Sequence, residues 1–326
     1  MGPSGLTAGM NTIHDLRPQM SPISRRNFIL HTGAILAAGT AALSWPGARA
    51  KAASAPSPKK TVFGSNVFGW TQYYARDKKP FNLDEVIAAL GDSGYDYLEN
   101  NLDAGKPENN AAFAAKLRAK GMRPVSLYTG GAFHDAAKAG DTVKRLLAAC
   151  QVCKEAGFEV ISCNANPIGR EKTDEELKTQ VAALIDFGKG LNELGLKLGL
   201  HHHMPEMANH AREFHYVFHN SPPDVVGFCY DVHWVWKGGL APADALKEYG
   251  QRVVTWHIRQ SRDKVWWEDL DTGDVDYEAI SKYAREHNLA RRFTVELALE
   301  GATKITRSAV ENHRRSLEYV KKVFGA

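Results

Sequence analysis

Cysteine is scarce in this chain: four in 326 residues, at Cys150, Cys153, Cys163 and Cys229. An oxidising compartment would permit disulfides. Cys150 and Cys153 form a C-x-x-C, but the helical pattern from Thr142 to Ala156 places the pair inside a helix and not at a helix start, where a redox thiol gains its low pKa. All four therefore read as small buried apolar residues. Beyond the N-terminal segment there is no apolar run of the ~18 to 20 residues a membrane span needs, so no stable membrane insertion is expected. Charge of one sign is lacking too. The first fifty residues hold four Arg and one Asp, and without them the 41 basic and 37 acidic side chains come nearly into balance. A binder of nucleic-acid phosphates shows a basic excess, so no nucleic-acid partner is expected. What remains is long enough, and at 44% hydrophobic residues apolar enough, to bury a large core.

The N-terminal segment has three ordered features. Ser24-Arg25-Arg26-Asn27-Phe28-Ile29-Leu30 is followed by a mildly apolar stretch rich in Ala and Gly, then by Ala48-Arg49-Ala50, a small-x-small cleavage pattern. Together they predict a twin-arginine export signal over residues 1–50, with translation starting at Met1, Met10 or Met20. Residues 51–60, rich in Ala, Ser and Pro, read as a linker. The expected location is the periplasm or the exterior, and that export route carries proteins folded beforehand, often around a cofactor.

From residue 61 to 326 short β-rich runs alternate with helical periods. The runs are Val62–Trp70, Tyr95–Glu99, Pro124–Tyr128, Val160–Asn164, Lys197–His202, Val226–Asp231, Val253–Ile258 and Phe293–Leu297. Helices are expected to begin near Asn82, Asn110, Ala136, Thr173, Met207, Pro242, Asp276 and Lys304. Eight units of about 33 residues match a (β/α)8 TIM barrel. Each run ends in residues a core would not choose: Thr71 and Gln72, Glu99 and Asn100, Tyr128, Asn164 and Asn166, His201 to His203, Asp231 and His233, His257 and Arg259, Glu296. Barrel active sites form at that end of the strands, whereas a doubly wound sheet gathers its chemistry at one crevice.

His201, Asp231, His257 and Glu296 come from the last four strand ends, with His203 as a reserve ligand. Imidazoles and carboxylates converging on a barrel mouth suit one divalent ion, Mn, Co, Zn or Mg, with positions left open for substrate oxygens. Glu99 ends the second strand, where its carboxylate can pair with a neighbouring strand-end base such as Arg259. Arg259 follows His257 by two, so the two share a strand face, and it is expected to contact substrate oxygens. Trp234, Trp266 and Trp267 offer flat apolar faces to a sugar ring, the last two from a long seventh loop; Trp256 reads as packing. No glycine-rich phosphate cradle stands in the seventh or eighth loop, which points to an unphosphorylated sugar or glycoside. A homo-oligomer is compatible with all of this.

These motifs, with Leu198 to Met207, Phe228 to Val235, Trp256 to Arg259, Gly273 to Tyr277 and Val295 to Leu297, resemble the sugar phosphate isomerase/epimerase superfamily of xylose-isomerase-like barrels. The resemblance implies metal ligands at Asp231, His257 and Glu296 and, as the alternative to pairing with Arg259, a Glu99 that faces substrate. On the fifth strand the family's epimerases place a Glu where this chain has His201. The run His201-His202-His203 with Glu206 resembles instead a subgroup with a His-Asn-His strand. The epimerases' Asp-x-x-His is also broken, because Trp234 stands at the His position and His233 one place earlier. With one of the paired acid–base glutamates missing, Glu296 is expected to be the base and His203, Glu206 or His233 to serve the opposite face, an imidazole of pKa near ~6.5 donating a proton to a leaving group. The expected reaction is proton abstraction next to a carbonyl, in a lyase or hydratase acting on a 3-keto-glycoside or keto-sugar. The alternatives are a sugar isomerase or epimerase, and, in another class, a non-catalytic carbohydrate-binding barrel.

Overall fold

The computed structural model describes residues 60–325. The expected export signal and all of the linker but Lys60 lie outside the described residues.

The elements follow as β1 (Val62–Asn66), α1 (Val67–Arg76), α2 (Leu83–Ser93), β2 (Tyr97–Asn101), α3 (Glu108–Ala119), β3 (Ser126–Gly131), α4 (Ala139–Glu155), β4 (Val160–Ala165), α5 (Asp174–Glu193), β5 (Lys197–Leu200) and α6 (Met204–His219). Then come β6 (Gly227–Asp231), α7 (Val232–Lys237), α8 (Pro242–Tyr249), β7 (Val253–Ile258), a small hairpin of β8 (Ser261–Arg262) and β9 (Val265–Trp266), α9 (Tyr277–Glu286), β10 (Arg292–Val295) and α10 (Ala309–Phe324). Eight parallel strands close in the order β1-β10-β7-β6-β5-β4-β3-β2, which is the (β/α)8 barrel expected from the alternation. Among the described residues no helix is long and apolar enough to cross a membrane.

Side chains on a strand alternate between the helix layer and the barrel interior. The interior set shows itself by its contacts: Tyr97 Oη and Thr294 Oγ1 are hydrogen-bonded at 2.7 Å, and the Ser126 and Ser162 hydroxyls lie 3.2 Å apart, both turned to Glu99. Two residues further along those four strands stand Glu99, Glu296, Tyr128 and Asn164. Gly199, Cys229 and Thr255 hold the same relation to His201, Asp231 and His257. The interior thus passes from Tyr97 and smaller residues below to a layer of polar groups above, of which Glu99 stays fully buried. Gly64 is required there, because a Cβ on it would lie 2.2 Å from the Tyr97 ring that fills the interior beside it. The apolar faces of the helices pack on the outside of the barrel, burying Leu90, Leu146, Leu184, Phe214 and Val320.

The cysteines are free and buried, as the sequence suggested. The first strand is corrected. It stops at Asn66, whose side chain accepts from Phe68 N at 2.7 Å and so starts α1 four residues before the apolar run ends. Thr71 and Gln72 are therefore helical, not strand-end residues; Gln72 exchanges two hydrogen bonds with the Leu299 backbone and ties α1 to the loop after β10. The fifth helix start near Thr173 is a capping box with Glu176, as its sequence implied. The last helix begins at Ala309 behind a Ser308 cap, later than the Lys304 of the sequence reading.

Candidate metal centre and active site

At the mouth, His201, Asp231, His257 and Glu296 come together. All four are buried, and one ligand atom from each lies within 4.8 Å of the others. His201 follows β5, Asp231 ends β6, His257 lies in β7 and Glu296 follows β10, so four neighbouring strands set the group. Asp231 is fixed from two sides: Oδ1 accepts from Trp234 N at 2.8 Å and caps α7, while Oδ2 faces Arg259 at 2.6 Å and His201 Nε2 at 3.3 Å. Burial would raise the Asp231 carboxyl, but Arg259 and His201 outweigh it and hold it far below the usual range. Glu296 behaves alike: burial opposes its ionisation, and Arg259 and His257 overcome it.

The donor set fits a divalent ion. His257 Nδ1 is 3.0 Å from Glu296 Oε2 and Nε2 is 2.7 Å from Glu99 Oε1, yet neither ring nitrogen makes a directed hydrogen bond. A buried imidazole whose ring nitrogens lack directed partners, among ionised carboxylates, fits the role of a cation ligand.

Glu99 takes a different place from the one its sequence suggested. It is 0% exposed, beneath His257, and it accepts from Asn66 Nδ2 at 2.9 Å, from Ser162 Oγ at 2.9 Å and from Ser126 Oγ. Burial would raise its carboxyl, but His257 and these donors bring it down to about 2. It neither faces the mouth nor pairs with Arg259. A carboxylate behind the far nitrogen of a metal-binding imidazole fixes ring orientation and basicity.

Arg259 spans two carboxylates, Asp231 Oδ2 and Glu296 Oε1, the latter at 2.9 Å, and lies over the rings of Trp234 and Trp266 at 5.3 and 4.8 Å. Those two indoles meet edge to face at 5.6 Å and also carry Lys237. Trp267 has a different partner: Arg262 of the β8–β9 hairpin stacks on it at 3.9 Å. Trp256 is core.

The three residues expected on the opposite face diverge. His203 is half-buried, 4.6 Å from His201 and 5.8 Å from Trp234 between ring centroids, and so borders the mouth. Burial, with His201 beside it, lowers it to about 3, which keeps the ring neutral and removes the imidazolium donor that an ordinary histidine would supply. Glu206 accepts from His203 N at 2.7 Å, starting α6, and its charged neighbours are Glu213 and Lys172, not the mouth. Burial raises it to about 7. His233 is 0% exposed. Ser261 gives its one proton to Asp274, so His233 Nε2 must be the donor in its 3.0 Å contact with Ser261 Oγ. That bond turns His233 into the seventh loop. Burial, aided by Arg259, lowers it to about 4.

Tyr128 stood out in the sequence only as a polar strand end, with no role attached to it. Its hydroxyl donates to Asn164 at 2.9 Å and lies 3.5 Å from His201 Nδ1. The alternation that flagged both residues as polar strand ends was the available signal.

The chain belongs to the xylose isomerase-like TIM barrel family, whose sequence profile matches residues 87–323. An inosose dehydratase of Geobacillus kaustophilus is 23% identical over 199 residues, which are 57% of this chain and 64% of that protein, so the chain spans less than two thirds of its relative's length. Among solved structures, a sugar phosphate isomerase/epimerase from Parabacteroides distasonis superposes with a TM-score of 0.66 at 18% identity, covering 83% of this chain and 97% of that one. A protein described as IOLI with a bound zinc atom superposes with a TM-score of 0.64 at 17% identity, over 81% of this chain and 100% of that one. At these identities the structural likeness establishes the fold.

Proposed function

We propose that this chain is an exported, metal-dependent enzyme that abstracts the proton next to a carbonyl in an unphosphorylated keto-sugar, keto-glycoside or keto-cyclitol and eliminates the group one carbon further on. The observation that carries the reading is the buried cluster of His201, Asp231, His257 and Glu296 at the barrel mouth. A divalent ion held there would polarise the substrate carbonyl and ease loss of the neighbouring proton. Arg259 and His257 keep Glu296 ionised, and at 7% exposure it reaches solvent more than Asp231 at 1% or Glu99 at 0%. It is the one base among these carboxylates. The C–H bond breaks towards Glu296, a C=C bond forms, and the C–O bond beyond it breaks with the proton returned to the leaving oxygen. Neutral His203 supplies an N–H hydrogen bond or accepts a proton on the other face. Trp234 and Trp266 present an apolar wall suited to a sugar ring.

A single carboxylate base favours elimination over two-base epimerisation, and similarity to an inosose dehydratase supports the same choice. The isomerase or epimerase reading is kept alive by the structural likeness to a protein of that description. The test is incubation of metal-loaded enzyme in D2O with an inosose and with a 3-keto-glycoside. Deuterium beside the ketone together with loss of water or aglycone is the expected result. Deuterium in an epimeric or isomeric sugar selects the second reading; binding without label or turnover marks a carbohydrate receptor and overturns both.

A further inference from the structure

Away from the barrel mouth, α6 and α8 bring a second set of metal-binding side chains together. His215 and His219 stand four residues apart on α6, on one face, with rings stacked at 5.6 Å between centroids. From the end of α8, Glu248 Oε1 approaches His219 Nε2 to 2.7 Å. The Tyr249 hydroxyl lies between the histidines, 2.6 Å from His215 Nδ1 and 2.9 Å from His219 Nε2. Ligand atoms of the two histidines and Glu248 all lie within 4.8 Å of one another. A tetrahedral ion with bonds of about 2.1 Å needs its ligands about 3.4 Å apart, so coordination requires side-chain rotations that move the Tyr249 hydroxyl from between the two nitrogens or take it up as a ligand.

We propose that His215, His219 and Glu248, with the Tyr249 phenol beside them, form a peripheral transition-metal site that clasps α6 to α8. Two imidazoles and one carboxylate suit zinc, nickel or copper and not the oxygen-preferring magnesium or calcium. His219 and Glu248 are 57% and 47% exposed, which admits an ion from solvent and leaves room for a water to complete its shell. No ligand is shared with the mouth. The clasp also holds the part of α6 beyond a break at Asn209, His210 and Ala211, whose φ values of 50°, 56° and 57° interrupt the helix between the clasp and the turn that starts at His203.

The test uses the full chain without a polyhistidine tag, stripped with chelator, reloaded with Zn2+ and desalted. Wild-type protein should retain two zinc ions per chain. His215→Gln/His219→Gln should lose one of them and the part of the zinc-induced rise in Tm that goes with it, whereas His257→Ala should lose the other. Should the double variant fold poorly, Cu2+ bound to His257→Ala is examined by electron paramagnetic resonance, where nitrogen couplings from two imidazoles are expected, falling to one when His219→Gln is added. Zinc retention by the double variant equal to wild type, or a copper signal without nitrogen coupling, overturns the site. Neither readout depends on turnover, so failure of the proposed reaction leaves this result interpretable.

Discussion

Glu99 shows what side-chain pattern conveys and what it withholds. Its position at a strand end was readable from Tyr97-Leu98-Glu99, and so was its interior face. Its partner was not, because barrel closure brings the inward face of β2 against β7 across the interior, a relation no local periodicity encodes. The ligand quartet was legible for the opposite reason: its four members recur at equivalent strand ends, so each strand predicts its own member. The protonation of His203 was hidden as well, since burial is a tertiary fact. Glu99→Gln keeps the volume and, with its amide oxygen towards Asn66, that hydrogen bond, while its NH2 takes the place of the oxygen facing Ser126 and Ser162 and the charge behind His257 is removed. Metal affinity at the mouth should fall roughly 10- to 100-fold. Calorimetry with Mn2+, an ion the imidazole-rich peripheral site disfavours, measures this; an unchanged affinity would show that Glu99 does not orient the ligand.

At the scale of elements, the helices announced by capping chemistry were found where the sequence placed them, as at Thr173 and Asp276. The early turn into α1 was missed because Val67 to Trp70 is as apolar as a strand, and the deciding signal was a single Asn66. That residue both caps α1 and donates to Glu99. Asn66→Ala should therefore cost about 1 kcal/mol for the cap and a further 1–3 kcal/mol for the unsatisfied buried partner, read as a lowered urea midpoint. A loss no larger than a cap alone would separate the two roles. The contact of α1 with α10 makes a second prediction. His313 is buried against Trp70 at 4.1 Å, and Nε2 has no partner. Burial lowers it from 6.5 to about 4. The unfolded chain binds that proton first, so the stability of the neutral ring is present above pH 6.5 and is lost as pH falls towards 4. Between pH 7 and 4.5 His313 should account for roughly 2–3 kcal/mol of lost stability. His313→Phe should flatten that interval in urea unfolding; an equal pH slope in the variant would contradict the assignment.

For the whole molecule, eight repeated units with a polar residue at nearly every strand end made the barrel readable, the near balance of charge argued against nucleic acid, and the lack of a glycine-rich phosphate cradle pointed to an unphosphorylated substrate. The seventh loop was legible as long, but its internal order was not: the β8–β9 hairpin sends Trp266 to the mouth and Trp267 to Arg262, and two adjacent residues with one composition signal acquire different surroundings. The proposed export signal predicts that Arg25→Lys/Arg26→Lys retains the protein in the cytoplasm, as cell fractionation would show; normal export would remove that part of the account. The central claim, that one divalent ion sits among His201, Asp231, His257 and Glu296, has a direct measurement in the anomalous scattering of crystals grown with Mn2+. The account predicts a single strong peak within coordination distance of all four side chains, absent in Glu296→Gln. No peak at the mouth, or one held by other residues, would contradict it.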